Sequence, residues 1–271
     1  MEKPKAIVRE NDFVGADGLL VCGLCGEPKE AFFKDGLLFG GRDRHPVPCA
    51  CQRAEWERTE AKRRSREHQS TVDRLRTACF PLPVMRSWTF EADALHGRQS
   101  EICRRYVEHW QEVQEKNVGL LLWGDVGTGK SYLAASIANA LIEQEVAVCM
   151  TGLGEIIDHG FDGRSDYIRR LCAYPLLILD DFGMERDTKF GLETVCRVID
   201  RRAMSGKPLI ITTNLTLTEL KKLEDTDRAR IYDRVLSMTV PILFEGESLR
   251  QKDRQEKMSF VRGLLEGKES A

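Results

Sequence analysis

From about residue 84 onward, short apolar runs alternate with segments whose apolar positions recur every three or four residues. The runs at 118–123 (VGLLLW), 146–151, 176–180 (LLILD) and 208–213 (PLIITT) lack a strict apolar–polar alternation, so they predict strands buried on both faces. Between and after them, helical periodicity predicts helices over 98–116, 130–144, 153–159, 164–172, 189–205, 217–222 and 227–236. A short strand at 238–243 and a helix from about 249 complete the chain. Such alternation predicts an α/β fold with a parallel sheet. The N-terminal third reads differently. Residues 1–52 are rich in turn residues, and 53–76 carry eight Arg or Lys against five Asp or Glu with neither Gly nor Pro. That second stretch predicts an exposed helix laced with ion pairs. The prolines of FPLPV at 80–84 then break it. The expected organisation is therefore a small module over 1–52, a charged helical linker over 53–79, and a large α/β domain over 80–271.

Composition narrows the classes little. The chain has 271 residues, 42% of them hydrophobic and 31% charged, with a net charge of -2, so it is not coated in basic surface. A nucleic-acid contact would have to come from a local patch. The N-terminal MEKPKAIVREND has no apolar core, and no stretch approaches 18 apolar residues. The expectation is a cytoplasmic protein that does not contact a membrane. Nine cysteines in such a setting are reduced thiols, and clustered ones point to metal.

Residues Gly124, Asp125, Val126, Gly127, Thr128, Gly129, Lys130 and Ser131 fit G-x-x-x-x-G-K-[ST], with the strand before and the helix after that the pattern requires. A loop of this kind turns consecutive backbone N–H groups toward a polyphosphate, helped by the positive end of the following helix. Lys130 is expected to reach the β- and γ-phosphates of a bound nucleotide, and the Ser131 hydroxyl to bind Mg²⁺. The strand at 176–180 delivers Asp180 and Asp181 to its C-terminal end, where ligands sit in such sheets. Asp180 suits Mg²⁺, and Asp181 is placed to polarise an attacking water. The strand at 208–213 ends at Asn214, whose carboxamide can orient that water or simply cap the next helix.

Cys22-Gly-Leu-Cys25 and Cys49-Ala-Cys51 supply four thiols in two close pairs. Zn²⁺ takes four such ligands, so Cys22, Cys25, Cys49 and Cys51 are the expected zinc site, with His45 near enough in sequence to replace one of them. A redox pair or buried free thiols are the alternatives. A module of about 50 residues has little core, and metal would supply its stability. Cysteines 79, 103, 149, 172 and 196 are isolated within strand or helix patterns and read as packing residues.

LLLWGDVGTGKSYLAASIANAL, LLILDDFG and LIITTNLT, followed by RARIYDRVLSM and GESLR, together resemble the AAA+ ATPases of the helicase-loader and transposition-helper type (DnaC- and IstB-like) over about 80–255. The resemblance implies an αβα sandwich with a small C-terminal helical lid, and ATP-driven self-association with a site shared between neighbouring subunits. It implies that Asn214 is a sensor of the γ-phosphate, that Arg234 is an arginine finger acting on a neighbour, and that Arg250 is a second sensor. Arg230, one turn from Arg234, is the alternative finger. A guanidinium in that role is worth about 10³–10⁵ in rate. The chain departs from most of this class in carrying Asp181 where glutamate is usual. Some loaders carry an N-terminal zinc module that grips the helicase, which the layout here resembles. The implied function is loading of a hexameric replicative helicase onto single-stranded DNA. Arg164, Arg169 and Arg170 are the expected phosphate contacts. A transposition helper on duplex DNA and a non-hydrolysing ATP-binding adaptor are the alternatives.

Overall fold

The computed structural model describes residues 7–33, 43–92, 97–158, 163–183, 189–221, 226–246 and 248–265. The chain divides into two compact units, Met1–Ser70 and Thr71–Ala271.

In the first unit, β1 (Phe13–Val14) pairs antiparallel with β2 (Leu20–Val21), and β3 (Glu30–Phe32) with β4 (Arg44–Pro46). Helix α1 (Ala50–Cys79) begins in this unit and ends in the second. The charged segment 53–79 thus lies within one continuous helix that crosses the division after Ser70. At its start, Arg53 pairs with Glu27, the Glu55 carboxylate accepts from Arg9, and Gln52 donates to the Ile7 carbonyl. At its end, Val72 and Cys79 are buried in the core of the second unit. The helix is charged in its middle, and its apolar residues near the C-terminal end join the core of the second unit. Inside the first unit, the Lys29 ammonium and the Asp12 carboxylate pair with only 1% and 2% of their side chains exposed. Asp12 also accepts the N–H groups of Arg9 and Gly23, so a buried charge finds the partners it needs.

In the second unit, five parallel strands lie in the order β6 (Val148–Gly152), β7 (Leu176–Asp180), β8 (Leu209–Thr213), β5 (Gly119–Gly124) and β9 (Thr239–Phe244). Successive strand residues face opposite sides. Leu120 and Leu122 join a core with Leu133, Ile137 and Leu141 of α4 (Lys130–Glu143) and with Tyr106 of α2 (Arg98–Glu108). Leu121, Leu177 and Leu179 face the other way, onto α5 (Leu153–Asp158), α6 (Arg164–Ala173), α7 (Lys189–Ser205) and α9 (Thr226–Met238). The expected three-layer αβα sandwich is what the structure holds.

Two strand starts differ from expectation for one reason. The helical segment read as 98–116 is two helices, α2 and α3 (Trp110–Glu115), parted at His109. After α3 the chain closes in a six-to-one turn: the Val118 N–H bonds to the Val113 carbonyl and the Asn117 N–H to Gln114, with Asn117 at φ 52. Glu145 (φ 61) and Val146 repeat it after α4. These left-handed caps consume Val118 and Val146, so β5 and β6 begin at Gly119 and Val148. The short strand is Thr239–Phe244, followed among the described residues by one helix, α10 (Leu249–Leu265), in the position of the expected lid. Helix α8 is Leu217–Lys221. Residues 159 and 222, expected at helix ends, lie outside the described residues.

Arg202 of α7 is fully buried, and its guanidinium donates to the carbonyls of Cys172, Tyr174, Pro175 and Pro208. It ties the C-terminal end of α6 to the entries of β7 and β8. Burial pushes its pKa down to about 10. Arg202→Met should therefore leave four carbonyls without their donor and cost about 3–5 kcal/mol, read as a fall in the denaturation midpoint. A change under about 1 kcal/mol would mean that solvent or a neighbour satisfies those carbonyls instead.

Candidate nucleotide and metal sites

The sheet register brings the expected residues to one edge. Trp123 lies opposite Thr213, and Gly124 opposite Phe244. β5, β7 and β8 therefore end together, and a cleft of about 460 Å³ opens beyond them, within the range of nucleotide pockets. Val126, Gly127, Gly129, Lys130, Ser131, Asp181, Asn214 and Arg250 all line it. Gly124, Asp125 and Thr128 complete the loop, with the Thr128 hydroxyl closing it onto the Asp125 carbonyl at 2.8 Å. Gly127 has φ +84, and a Cβ there would stand 2.1 Å from the Ser248 hydroxyl oxygen. The Leu249 N–H bonds to the Gly127 carbonyl at 3.0 Å. That close approach seats the start of α10, and with it Arg250, against the loop.

Lys130 is 6% exposed, and its ammonium donates to the carbonyls of Gly124, at 2.8 Å, and Asp125. Burial lowers its pKa, against the opposing pull of Asp181 and Asp125. The loop carbonyls that accept from this buried cation are the acceptors a polyphosphate would replace with its own oxygens. Asp180 is pushed up by burial and held back by hydrogen bonds from the Thr212 and Ser131 hydroxyls. The Ser131 hydroxyl and the Asp180 carboxylate expected to hold Mg²⁺ thus lie near each other, and such hard oxygen donors fit that ion. Asp181 stands at φ 54, in the left-handed region, with its N–H donating to the Thr212 hydroxyl at 3.0 Å.

Arg234 does not line this cleft. It sits on α9, 42% exposed, and pairs with Asp200 of α7. Of the arginines expected to meet phosphates, Arg164 lies over the Phe190 ring at 4.2 Å and Arg169 pairs with Asp166 at 2.8 Å, whereas Arg170 is exposed. Trp88, which lines the cleft, and Thr212, buried against Asp180 and Asp181, were not singled out by the sequence reading. Trp88, which follows a 3₁₀ turn over Pro83–Ser87, stacks on Tyr132 at 5.6 Å and lines the cleft. Nothing in the pattern around Trp88 announced it. Thr212 had a signal, a hydroxyl at a strand tip, that was overshadowed by Asn214. A larger cavity of about 710 Å³ lies between α6 and α7, but Ala173, Ser205 and Lys207 place it toward the opposite end of the strands, away from the loop.

In the first unit, the sulfurs of Cys22, Cys25, Cys49 and Cys51 lie within 4.8 Å of one another. Tetrahedral zinc at about 2.3 Å per bond needs sulfurs about 3.8 Å apart, so the cluster fits with small adjustment. Gly26, at φ 72, makes the tight turn that bonds its N–H to the Cys22 carbonyl at 2.9 Å. Backbone N–H groups of Cys51 and Glu27 bring the Cys25 thiol down to about 6, and those of Cys25 and Leu24 lower Cys22. Burial raises Cys49, and the hydrogen bond with Cys25 followed by burial takes Cys51 up to about 11. Amides aimed at sulfur are the setting of a thiolate ligand. His45 is not in the group; its ring packs on Phe33 at 4.9 Å.

A parallel sheet with a Gly-rich loop, paired aspartates and a strand-tip carboxamide at one edge defines a P-loop ATP-binding protein of the AAA+ type. The family model described as IstB-like ATP binding protein matches residues 57–257, and the chain belongs to that family. It is 29% identical over 150 residues to the replicative helicase loader DnaI of Bacillus subtilis (strain 168), covering 50% of this chain and 48% of that protein. It is 27% identical over 159 residues to the replicative helicase loader DnaC of Escherichia coli (strain K12), covering 55% and 62%. The matches thus span about half to three-fifths of those relatives. A crystal structure of DnaI superposes with a TM-score of 0.54 at 22% identity, covering 65% of this chain and 98% of that one, a likeness of fold. Among the described residues no helix is long and apolar enough to cross a membrane.

Proposed function

We propose that this chain is an ATPase that binds a hexameric replicative helicase and loads it onto single-stranded DNA. The observation that carries the reading is the nucleotide cleft joined in one chain to a four-cysteine module. The loaders DnaI and DnaC are its named relatives. Lys130 and the loop amides hold the polyphosphate, Ser131 and Asp180 hold Mg²⁺, and Asp181 with Asn214 orients the attacking water. Bound Mg²⁺ would neutralise charge on the β- and γ-phosphates. Arg250 faces the phosphates from its own subunit, and Arg234 acts on a neighbour's cleft, so hydrolysis depends on self-association. Zinc at Cys22, Cys25, Cys49 and Cys51 shapes the first unit, whose exposed Phe13, Val14 and Leu24 offer an apolar contact for the helicase. Of the three arginines expected to meet DNA phosphates, Arg164 packs on Phe190 and Arg169 pairs with Asp166, so the exposed Arg170 is the one we assign that contact.

The membership in an IstB-like family favours a second reading, a transposition helper on duplex DNA. Size-exclusion chromatography of the full chain with the replicative helicase of its host separates the two. Co-elution that depends on the first unit, with ATP turnover stimulated by single-stranded DNA, is the expected result. Absence of co-elution together with ATP-dependent filaments on duplex DNA would establish the second reading in its place.

A further inference from the structure

The ladder between β7 and β8 ends at Leu179 opposite Ile211, yet the next residues of the two segments remain bound through one side chain and its backbone. The Thr212 hydroxyl donates to the Asp180 carboxylate at 2.6 Å and accepts the Asp181 N–H at 3.0 Å. The Thr212 carbonyl accepts the Phe182 N–H at 2.8 Å. Thr212 is itself fully buried and lies opposite Leu122 of β5, the strand that leads into the phosphate loop. A hydroxyl has one proton, so donating it to Asp180 leaves only its lone pairs for the Asp181 amide, and its orientation is fixed. The bond to Asp180 is of the short, charge-assisted kind. The bond to Asp181 falls at a non-glycine residue in the left-handed region, a conformation that persists only when its surroundings hold it.

We infer that Thr212 is a positioning residue for the metal and water end of the cleft, orienting the Asp180 carboxylate and holding the turn that presents Asp181. The inference rests on the reading that Asp180 and Ser131 hold Mg²⁺. Partners that orient a ligating carboxylate typically affect metal affinity or activity about 10- to 100-fold. Valine has threonine's shape without the hydroxyl, so Thr212→Val removes both side-chain bonds at nearly constant volume. Thr212→Ser keeps the hydroxyl and loses a methyl group.

The test is a Mg²⁺ titration of the binding of a fluorescent ATP analogue to the full chain, with melting temperature measured in parallel. For Thr212→Val, affinity in the absence of Mg²⁺ should stay within about twofold, while the Mg²⁺ concentration at half-maximal gain rises about 10-fold or more. Thr212→Ser should return that midpoint to near the wild-type value even if it melts earlier, which a purely structural loss would not do. A wild-type Mg²⁺ midpoint in a folded Thr212→Val protein overturns the inference, and so does a serine variant that folds yet keeps the valine defect. A wild type that binds the analogue with no Mg²⁺ dependence removes the reading beneath it, and the role of Thr212 falls with it. Asp180→Asn separates these cases, because it should abolish the Mg²⁺-dependent gain only if that underlying reading holds.

Discussion

Stripping metal from the full chain should unfold its first unit and leave the second intact. Among the described residues of Met1–Ser70, Leu19, Cys22 and Cys49 are the only buried apolar side chains. Three small or medium side chains bury far too little surface to offset the entropy of ordering such a segment, at about 25 cal/mol per Å² against about 1–2 kcal/mol per residue. A structural zinc site supplies about 10–16 kcal/mol of apparent binding energy, and that is folding energy where no site exists in the unfolded chain. The measurement is hydrogen exchange read by mass spectrometry, alongside zinc content. Chelation, or Cys49→Ser, should release about one zinc per chain. It should also erase protection over 12–32 and 44–49 while leaving β5 and α4 protected. The buried pair of Lys29 and Asp12 is the competing source of order. If metal-free protein keeps its protection and Lys29→Met loses it, the ion pair rather than the metal holds this unit together.

The features readable in the sequence were those whose physics is local. Gly127 and Lys130 carry their own context, because a phosphate loop needs only the strand before it and the helix after it. Cys22 and Cys25 likewise stand with two residues between them because one tight turn must present both. Asp180 and Asp181 required one step more, the inference of a parallel sheet that would carry β7 beside the loop. What stayed hidden depends on partners distant in sequence. Trp88 lies 44 residues before the Tyr132 it stacks on, in a segment marked only by its prolines. Arg202 reads as one more charge on an amphipathic helix until four carbonyls from two other segments close around it. Thr212 differs in being half visible. The two hydroxyls of the strand tip could be seen, but which of them met the carboxylates follows from the register that sets Ile211 opposite Leu179. The displaced starts of β5 and β6 show the reverse failure. Val118 and Val146 have the propensity of strand residues, and the helix caps claimed them first.

Arg234→Ala should lower ATP turnover about 10³-fold or more while leaving ATP binding nearly unchanged, and a second, complementary variant should rescue it. Within one chain the guanidinium is paired with Asp200, and the cleft is lined without it. That placement gives two possibilities for a residue 42% exposed. Either the pair is an ordinary surface contact, worth about 0–1 kcal/mol, or it parks a side chain whose work lies in the neighbouring subunit. The weakness of an exposed pair makes the second arrangement feasible, since a γ-phosphate offers more to a guanidinium than one solvated carboxylate does. Mixing decides between them. Lys130→Ala subunits lack a working loop but keep the arginine, and Arg234→Ala subunits have the converse defect. If the arginine serves a neighbour, mixed assemblies contain interfaces with both intact groups, and turnover should rise well above that of either variant alone. If Arg234 acts within its own chain, no mixed interface is complete and the mixture stays inactive. Arg230→Ala, one turn away on α9, is the comparison that assigns the effect. An unimpaired Arg234→Ala beside a strongly impaired Arg230→Ala would move the role to Arg230. Asp200→Ala should then sharpen the result. Releasing a parked Arg234 should leave turnover equal to or above wild type, whereas an Asp200 that positions the arginine for the neighbour would cut it.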